Sequence, residues 1–240
     1  MKTNWKYIIL FVILAIGISA PIHLGFFDES FKAITSGWFF NDWTYLLAGF
    51  GPLIAGLIIL LLDKSVSNRI TIFGKEKVKF ILIALLPVFT FPIFGLENSY
   101  GINIHLYAFI FALINVIYAF FEEFGWRRYL QNALEGINKN WKYILIGIIW
   151  WIWHLRFETS FDLFVFPFIC IGGGYLLGKL ADDTKSILPI VSMHTLIILL
   201  TNSGAITTNK IAGVALTIIG WIIIEQFWKR KKVNNKSIIQ

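Results

Sequence analysis

The residues with the clearest chemical potential are two adjacent glutamates, Glu122 and Glu123, which directly follow the apolar run 107–121. Arg127 lies four residues after Glu123, in the order that favours an ion pair along one helix face. Glu122 points about 100° away from that face. Charged side chains are costly within a membrane helix and are therefore candidates for function. The spacing predicts a structural Glu123–Arg127 pair and leaves the Glu122 carboxylate available for chemistry.

Two histidines on other apolar segments reach a similar depth. At about 1.5 Å per residue from the expected cytoplasmic helix ends, Glu122 and His154 lie roughly 20 Å into the bundle and His194 about 12 Å. Polar groups on separate helices satisfy one another only where they meet in the interior. We therefore expect these three side chains to line one polar cavity. His23 and His105 lie near the opposite ends of their segments and are expected at the surface.

One carboxylate and two imidazoles support two kinds of hydrolysis. Glu122, His154 and His194 match the ligand types of a catalytic zinc site, so they could bind Zn²⁺ or another divalent metal. Without a metal, Glu122 could act as general base toward a water held by one histidine while the other histidine stabilises the oxyanion. Both alternatives predict hydrolysis of an amide or ester within the membrane.

The composition of the chain requires a membrane setting. Its 240 residues are 57% hydrophobic and 15% charged, with a mean hydropathy of +0.72, whereas soluble domains average about 25% charged residues. Apolar segments recur from end to end, which predicts a single integral-membrane domain over residues 1–240. The predicted fold is all-α, a polytopic bundle of about eight transmembrane helices. The expected spans are 7–27, 44–62, 80–96, 104–121, 143–155, 161–180, 187–201 and 211–227.

The basic residues orient this bundle. If the N-terminus is cytoplasmic, 18 of the 21 Lys and Arg lie on cytoplasmic segments, and the other three are Lys32, Arg156 and Lys210. Cytoplasmic segments are enriched in Lys and Arg, so both termini are predicted to be cytoplasmic. Topology and anionic lipid headgroups then account for the net charge of +7, and no nucleic-acid partner is expected. The single cysteine, Cys170, is expected to pack inside a span.

The motifs of the chain resemble those of the CPBP family of intramembrane proteases, which comprises CAAX prenyl proteases and bacteriocin-processing (Abi) enzymes. The resemblance lies within residues 119–202 and rests on Glu122-Glu123-Phe-Gly-Trp-Arg127, Trp150-x-x-x-His154 and His194. It implies an eight-helix fold with an intramembrane polar cavity.

The resemblance also implies an activity, that of an endopeptidase cleaving a prenylated or hydrophobic peptide or protein at the lipid bilayer. Its implied site residues are Glu122 as the base that activates water, Glu123 and Arg127 in support, and His154 and His194 to complete the site. The Ile-, Asn- and Lys-rich composition is typical of a low-GC bacterium. We therefore expect a multi-pass protein of a bacterial cell membrane. No oligomeric state follows from the sequence.

Two departures from the family pattern leave other functions open. The family motif His-x-x-x-Asn or Asp would place an amide or carboxylate four residues after His194, where this chain has Ile198. Asn202 lies near the same helix face but about 12 Å further along, and Arg128 stands where the family commonly has Gly. The chain could therefore be a catalytically weak or silent bacteriocin self-immunity protein that binds a peptide in the membrane. A small transporter with a mid-membrane proton site is a third class, although no internal repeat supports it.

Overall fold

The structure is a computed structural model that describes residues 3–38, 40, 43–201 and 204–237, with side chains described as far as residue 231. Within these ranges the regular secondary structure is helical, as predicted, and β-structure is limited to one isolated parallel bridge between Thr71 and Ser186.

Each predicted span contains a helix, although several boundaries differ from the prediction. In the part of the chain that is described, the α-helices are α1 (Trp5–His23), α2 (Asp28–Ile34), α3 (Phe50–Leu62), α4 (Lys77–Phe94), α5 (Ile104–Glu123), α6 (Lys139–Trp153), α7 (Ser160–Phe164), α8 (Phe166–Thr184), α9 (Leu188–Thr201) and α10 (Thr208–Ser237). A 3₁₀ helix, Thr44–Gly49, leads into α3, and a π-helix, Phe124–Gln131, continues α5.

Among the described residues, five segments are long and apolar enough to cross a membrane: Trp5–His23, Thr44–Leu62, Lys77–Phe94, Ile104–Gln131 and Thr208–Lys231. They confirm a polytopic helical membrane bundle, whereas the count of eight crossings and the cytoplasmic termini stay predictions. The helices α6 and α9, which carry the two predicted site histidines, have only 15 and 14 residues. Most side chains of α9 are buried, so this helix lies in the interior of the bundle.

The helix termini gather at two opposite ends of the bundle. At the first, which we call the basic end, the beginnings of α1, α4 and α6 meet the ends of α3, the π-helix and α8. The loop between α3 and α4 is bound there because the Asn132 side chain bonds both backbone groups of Ile70. Asp182, at the end of α8, contacts four side chains at this end: Arg69, Gln131, Lys142 and Tyr143.

The second end, which we call the cavity end, joins the end of α1 to the 3₁₀ helix and to the end of α6. The Trp153 indole donates to Ser19 Oγ at 2.9 Å, and the Ser19 hydroxyl donates to the Ala48 carbonyl at 2.7 Å. His105 Nδ1 donates to the Pro92 carbonyl at 2.6 Å, which ties the end of α4 to the beginning of α5.

Glycines bring α6 and α8 into backbone contact. A methyl group built on Gly174 would lie 2.7 Å from the Gly147 Cα atom, and one built on Gly147 would lie 2.6 Å from the Ile171 Cα atom. Small residues allow membrane helices to approach this closely. The contact holds α8 against the same region of α6 that carries Trp150, whose ring lies 3.0 Å from a methyl group built on Gly173.

We expect Gly174→Ala to destabilise the protein by about 1–3 kcal/mol, because the added methyl group overpacks a contact between two backbones. Gly172→Ala, two residues earlier on α8, is the matched control because nothing lies within 4 Å of its added methyl group. The control is expected to be neutral or slightly stabilising, since alanine favours helix over glycine. Thermal unfolding midpoints of the detergent-solubilised variants measure the difference, and equal midpoints would contradict the proposed close packing.

Candidate functional site

The two predicted site glutamates lie at the point where α5 changes into the π-helix. Glu122 and Glu123 are the last residues of α5, and their side chains are 1% and 0% exposed. π-helical turns are rare and occur frequently at functional sites. The helix therefore continues beyond residue 121, as predicted, but with a wider turn than the sequence pattern indicated.

Close packing against α3 accompanies this wide turn. A methyl group built on Gly125 would lie 2.6 Å from the Pro52 carbonyl oxygen and 2.5 Å from the Pro52 Cβ atom. Only a residue without a side chain fits between the two backbones. Gly125 thus allows the π-helix to pack directly against α3, next to Glu122 and Glu123.

Glu123 joins two helices through both of its carboxylate oxygens. Its Oε2 atom lies 3.2 Å from Arg127 Nε, and its Oε1 atom lies 2.9 Å from His194 Nδ1 on α9. All three side chains are at most 3% exposed. The predicted Glu123–Arg127 pair is therefore present, while the contact with His194 was not anticipated because helix phase says nothing about α9.

Glu122 has a different environment that consists of neutral donors. Its Oε2 atom accepts hydrogen bonds from the Trp150 indole at 2.8 Å and from the Trp126 indole at 3.3 Å. The Tyr118 hydroxyl also hydrogen-bonds this carboxylate. Tyr118 lies one helical turn before Glu122 on the same face of α5, whereas the side-chain amide of Asn115 donates to the Phe111 carbonyl oxygen.

His154 follows the last residue of α6 and is held by the backbone of that helix. Its Nδ1 atom lies 2.7 Å from the Trp150 carbonyl oxygen, which can only accept, so Nδ1 carries the proton. In the neutral imidazole the Nε2 atom then has the free lone pair. Leu155, the next residue, has a φ of 52°, an uncommon left-handed conformation for leucine that turns the chain sharply after the histidine.

Trp150 contacts three of the five predicted site residues. Its indole donates to Glu122, its carbonyl accepts from His154, and its ring packs edge to face against His194 with 5.2 Å between the ring centroids. The sequence indicated this residue only through the spacing Trp150-x-x-x-His154. That signal marked its position but gave no sign that its indole bonds a carboxylate on another helix.

A cavity of about 670 Å³ brings the predicted residues together, because Glu122, His154 and His194 all line it. Its walls are mainly aromatic and include Trp43, Tyr45, Tyr107, Phe111, Phe161 and Phe166. Ile198 and the buried Cys170 also line the cavity. Glu123 and Arg127 are absent from its lining, so they lie behind Glu122 rather than facing the space.

The expectation that His23 lies at the surface is wrong. Its side chain is half-buried and lines the cavity, and its ring lies 6.2 Å from that of His154. His23 is the last residue of α1, and the cavity extends as far as this end of the helix. His105 is exposed, as expected. Asn202 lies outside the described residues.

The donors at this site are bonded to one another rather than arranged around a metal. No group of three or more His, Cys, Asp or Glu among the described residues is placed to hold a metal ion. His194 Nδ1 is bonded to Glu123 and not directed with Glu122 toward a common point. The arrangement of Glu122, His154 and His194 therefore does not fit a preassembled metal site, and metal binding stays an untested prediction.

Together these features define a helical membrane protein with a buried carboxylate and two histidines on an aromatic cavity. Residues 103–200 match the family model for Rce1-like proteins, described as type II CAAX prenyl endopeptidase Rce1-like. This match includes all five predicted site residues and supports assignment of the chain to the CPBP/CAAX protease family, as the motifs indicated. The assignment supports a CAAX-type intramembrane endopeptidase in general. A comparison with curated proteins found no matching relative.

The contrast between the two glutamates gives a stability prediction. We expect Glu123→Gln to lower the free energy of unfolding by about 3–5 kcal/mol, because it removes one partner from a buried ion pair with Arg127. Glu122→Gln is the matched control, since its amide oxygen can still accept from the Trp150 and Trp126 indoles. Denaturation in detergent followed by tryptophan fluorescence measures both variants. An equal or larger loss for Glu122→Gln would contradict the separate structural role of Glu123.

Proposed function

We propose that this protein is an intramembrane endopeptidase in which Glu122 activates a water molecule for attack on a peptide bond. The observation that supports this most directly is the shared cavity, where a buried carboxylate and the Nε2 side of a backbone-anchored histidine face the same space. The substrate is a membrane-associated peptide or protein with an apolar segment, because the cavity walls are mainly aromatic.

In the proposed reaction, a water molecule donates one hydrogen bond to the Glu122 carboxylate and one to His154 Nε2. The water oxygen attacks the carbonyl carbon of the scissile bond, and Glu122 takes the proton. Glu122 then returns this proton to the amide nitrogen as the carbon–nitrogen bond breaks, which gives one carboxyl and one amine product. General acid–base catalysis by a positioned side chain contributes typically 10²–10⁴-fold to the rate.

His194 has the proposed role of stabilising the tetrahedral oxyanion. Its Nδ1 atom is bonded to Glu123, so its other ring nitrogen is the one available to the cavity, and in the protonated form this nitrogen donates. Glu123 and Arg127 would act through His194 by fixing its orientation. They are therefore positioning residues in this proposal, and Glu122, His154 and His194 are the catalytic ones.

We expect Glu122→Gln to reduce kcat by about 10²–10⁴-fold, because the amide cannot accept the proton from water. His154→Ala is expected to cause a loss of the same order. Cleavage of a fluorogenic hydrophobic peptide, prenylated and unprenylated, by purified protein in detergent measures these rates. His105→Ala is the control, since that histidine is exposed and is not among the residues that line the cavity.

Equal turnover by wild type, Glu122→Gln and His154→Ala would refute the proposed mechanism. The same assay tests the alternative function, a membrane protein that binds a peptide without cleaving it. That alternative is favoured by Ile198, an apolar residue on the cavity wall where the family has Asn or Asp. If cells that express the variant with both substitutions are still protected against the bacteriocin peptide, that result would support the alternative of a protein that only binds the peptide. Metal analysis of the active protein tests whether it contains the predicted divalent ion.

We expect Ile198→Asn to raise kcat at least tenfold, because an added amide on the cavity wall supplies a second donor near His194. Removal of one oxyanion donor elsewhere costs about 10²–10³-fold in kcat, which sets the upper limit of the gain. Ile197→Asn is the matched control, since the neighbouring residue also lines the cavity. An unchanged or lower kcat for Ile198→Asn would show that Ile198 does not limit the wild-type reaction.

A further inference from the structure

A second recess lies on the outside of the bundle, between α4 and α5. We call it the outer groove. Its volume is about 310 Å³, and all ten residues that line it are apolar. The walls come from α4, α5, the beginning of α9 and the loop between α3 and α4, and they include Phe73, Ile81, Leu85, Ile117, Phe120 and Leu188. None of the ten also lines the cavity of Glu122, so the outer groove is a separate site.

The outer groove faces the hydrocarbon of the membrane. Ile81 on α4 and Ile117 on α5 are 39% and 46% exposed, and both helices belong to segments long enough to cross a membrane. A polar ligand would leave its hydrogen bonds unmade there, because neither water nor a polar wall is at hand. The ligand that fits the groove is therefore an apolar chain.

A docked loop closes the groove at the basic end. The Ser186 hydroxyl donates to the Ile72 carbonyl at 2.7 Å. Gly74 has a φ of 58°, and a methyl group built on it would lie 2.9 Å from Ser186 Cβ and 2.9 Å from the Phe80 ring. This tight contact fixes the loop, and with it Phe73, at the end of the groove. The outer groove is thus bounded by three helices and a loop.

Lys77 lies where the groove reaches the basic end. It is the first residue of α4, and its side chain is exposed. Ile81, Ala84 and Leu85, which line the groove, follow at spacings of four, seven and eight residues, so Lys77 shares their helix face. At about 1.5 Å per residue, Lys77 lies roughly 6 Å beyond Ile81 along the helix axis. The headgroup of a lipid whose chain fills the groove would meet this ammonium group.

Two further lysines flank the contact between the loop and α9. Lys75 directly follows Gly74, and Lys185 directly precedes Ser186, so the contact between Gly74 and Ser186 brings both lysines to the same corner of the bundle. In the described part of the chain, neither of these lysines nor Lys77 takes part in an ion pair. Three cations therefore remain available at one end of the groove.

The acidic residues near this corner leave it positively charged. Within three positions of the three lysines along the chain, the acidic residues are Glu76, Asp182 and Asp183. Glu76 pairs with Lys79, and Asp182 pairs with Arg69. Asp183 alone then stands against three cations, so the corner keeps a net positive charge. Basic pockets between membrane helices bind anionic lipid headgroups.

We infer that the outer groove binds one anionic phospholipid, with an acyl chain between α4 and α5 and the phosphate at Lys75, Lys77 and Lys185. The apolar walls select a chain, and the cations select a negatively charged headgroup. Val191, on the wall of the groove, lies three residues before His194, so the bound chain packs against the helix that carries this histidine. The inference does not depend on the proposed peptidase function, because the groove shares no lining residue with the cavity.

Native mass spectrometry of the lipid-stripped full chain in detergent tests this binding. The probes are phosphatidylglycerol and phosphatidylcholine with the same acyl chains, because these lipids differ in headgroup charge. We expect one phosphatidylglycerol per chain, bound at least tenfold more tightly than phosphatidylcholine. Equal dissociation constants for the two lipids would overturn the inference.

Substitution of the lysines tests the headgroup position. We expect Lys75→Gln/Lys77→Gln to weaken phosphatidylglycerol binding at least tenfold at low salt, because each lysine near an anionic headgroup strengthens binding about fivefold. Lys139→Gln/Lys179→Gln is the matched control, since it removes two exposed lysines from α6 and α8, outside the groove. Equal weakening by both double variants would indicate general attraction to the basic end and would contradict the inferred site.

Filling the groove tests the chain position. We expect Ile81→Trp to weaken phosphatidylglycerol binding at least tenfold, because the indole occupies the space of the chain. Leu82→Trp is the matched control, since Leu82 is 44% exposed and lies outside the lining. Ile117→Trp fills the groove from α5 and keeps the test decisive if Ile81→Trp does not fold. Full binding by a folded groove variant would refute the inference.

The same measurements distinguish two other occupants. Glycerol 3-phosphate that competes as well as the intact lipid would indicate a phosphate site without an acyl chain. A dimer that Ile81→Trp dissociates, with phosphatidylglycerol binding unchanged, would identify the groove as a contact between two copies of this chain. Either result overturns the inference of a bound phospholipid.

Discussion

The structure depends on one buried carboxylate and its two partners. Glu123 is excluded from water, and an unpaired charge in that setting costs far more free energy than a fold can spare. Its contacts with Arg127 and His194 satisfy the charge, but they also require α9 to lie in the interior beside the end of α5. The position of His194 in the cavity is thus a consequence of neutralising Glu123, and the surrounding helices must accommodate that geometry.

Glu122 and Glu123 are adjacent residues of the same type, but their surroundings differ. Glu123 contacts a guanidinium and an imidazole and is withdrawn from the cavity, whereas Glu122 receives neutral N–H and O–H donors and faces it. Neutral donors orient a carboxylate without fixing it in an ion pair, so it remains able to exchange a proton. In the proposed mechanism, the helix that each side chain contacts therefore decides which glutamate positions the site and which one reacts.

Local regularities in the sequence predicted much of this arrangement. Apolar length located the helices, i to i+4 spacing gave the Glu123–Arg127 pair, and depth counting brought Glu122, His154 and His194 to one level. Contacts between elements distant in sequence were not predictable in this way. The bonds from Trp150 to Glu122 and from Glu123 to His194 depend on helix rotation and packing, and the position of His23 depends on the shape of a cavity. The π-helix has no distinct periodic signal in eight residues, so it was read as ordinary α-helix.

The double attachment of Trp150 has a consequence for how the site can move. One residue supplies an indole donor to Glu122 and a carbonyl acceptor to His154, so a rotation or shift of α6 disturbs both bonds together. The backbone contact between Gly147 and Gly174 extends this coupling to α8, because α6 cannot slide without displacing its neighbour. The carboxylate and the histidine thus behave as one mechanical unit. In the proposed reaction, a peptide that presses against the indole ring would therefore change the geometry of Glu122 and His154 in a single step.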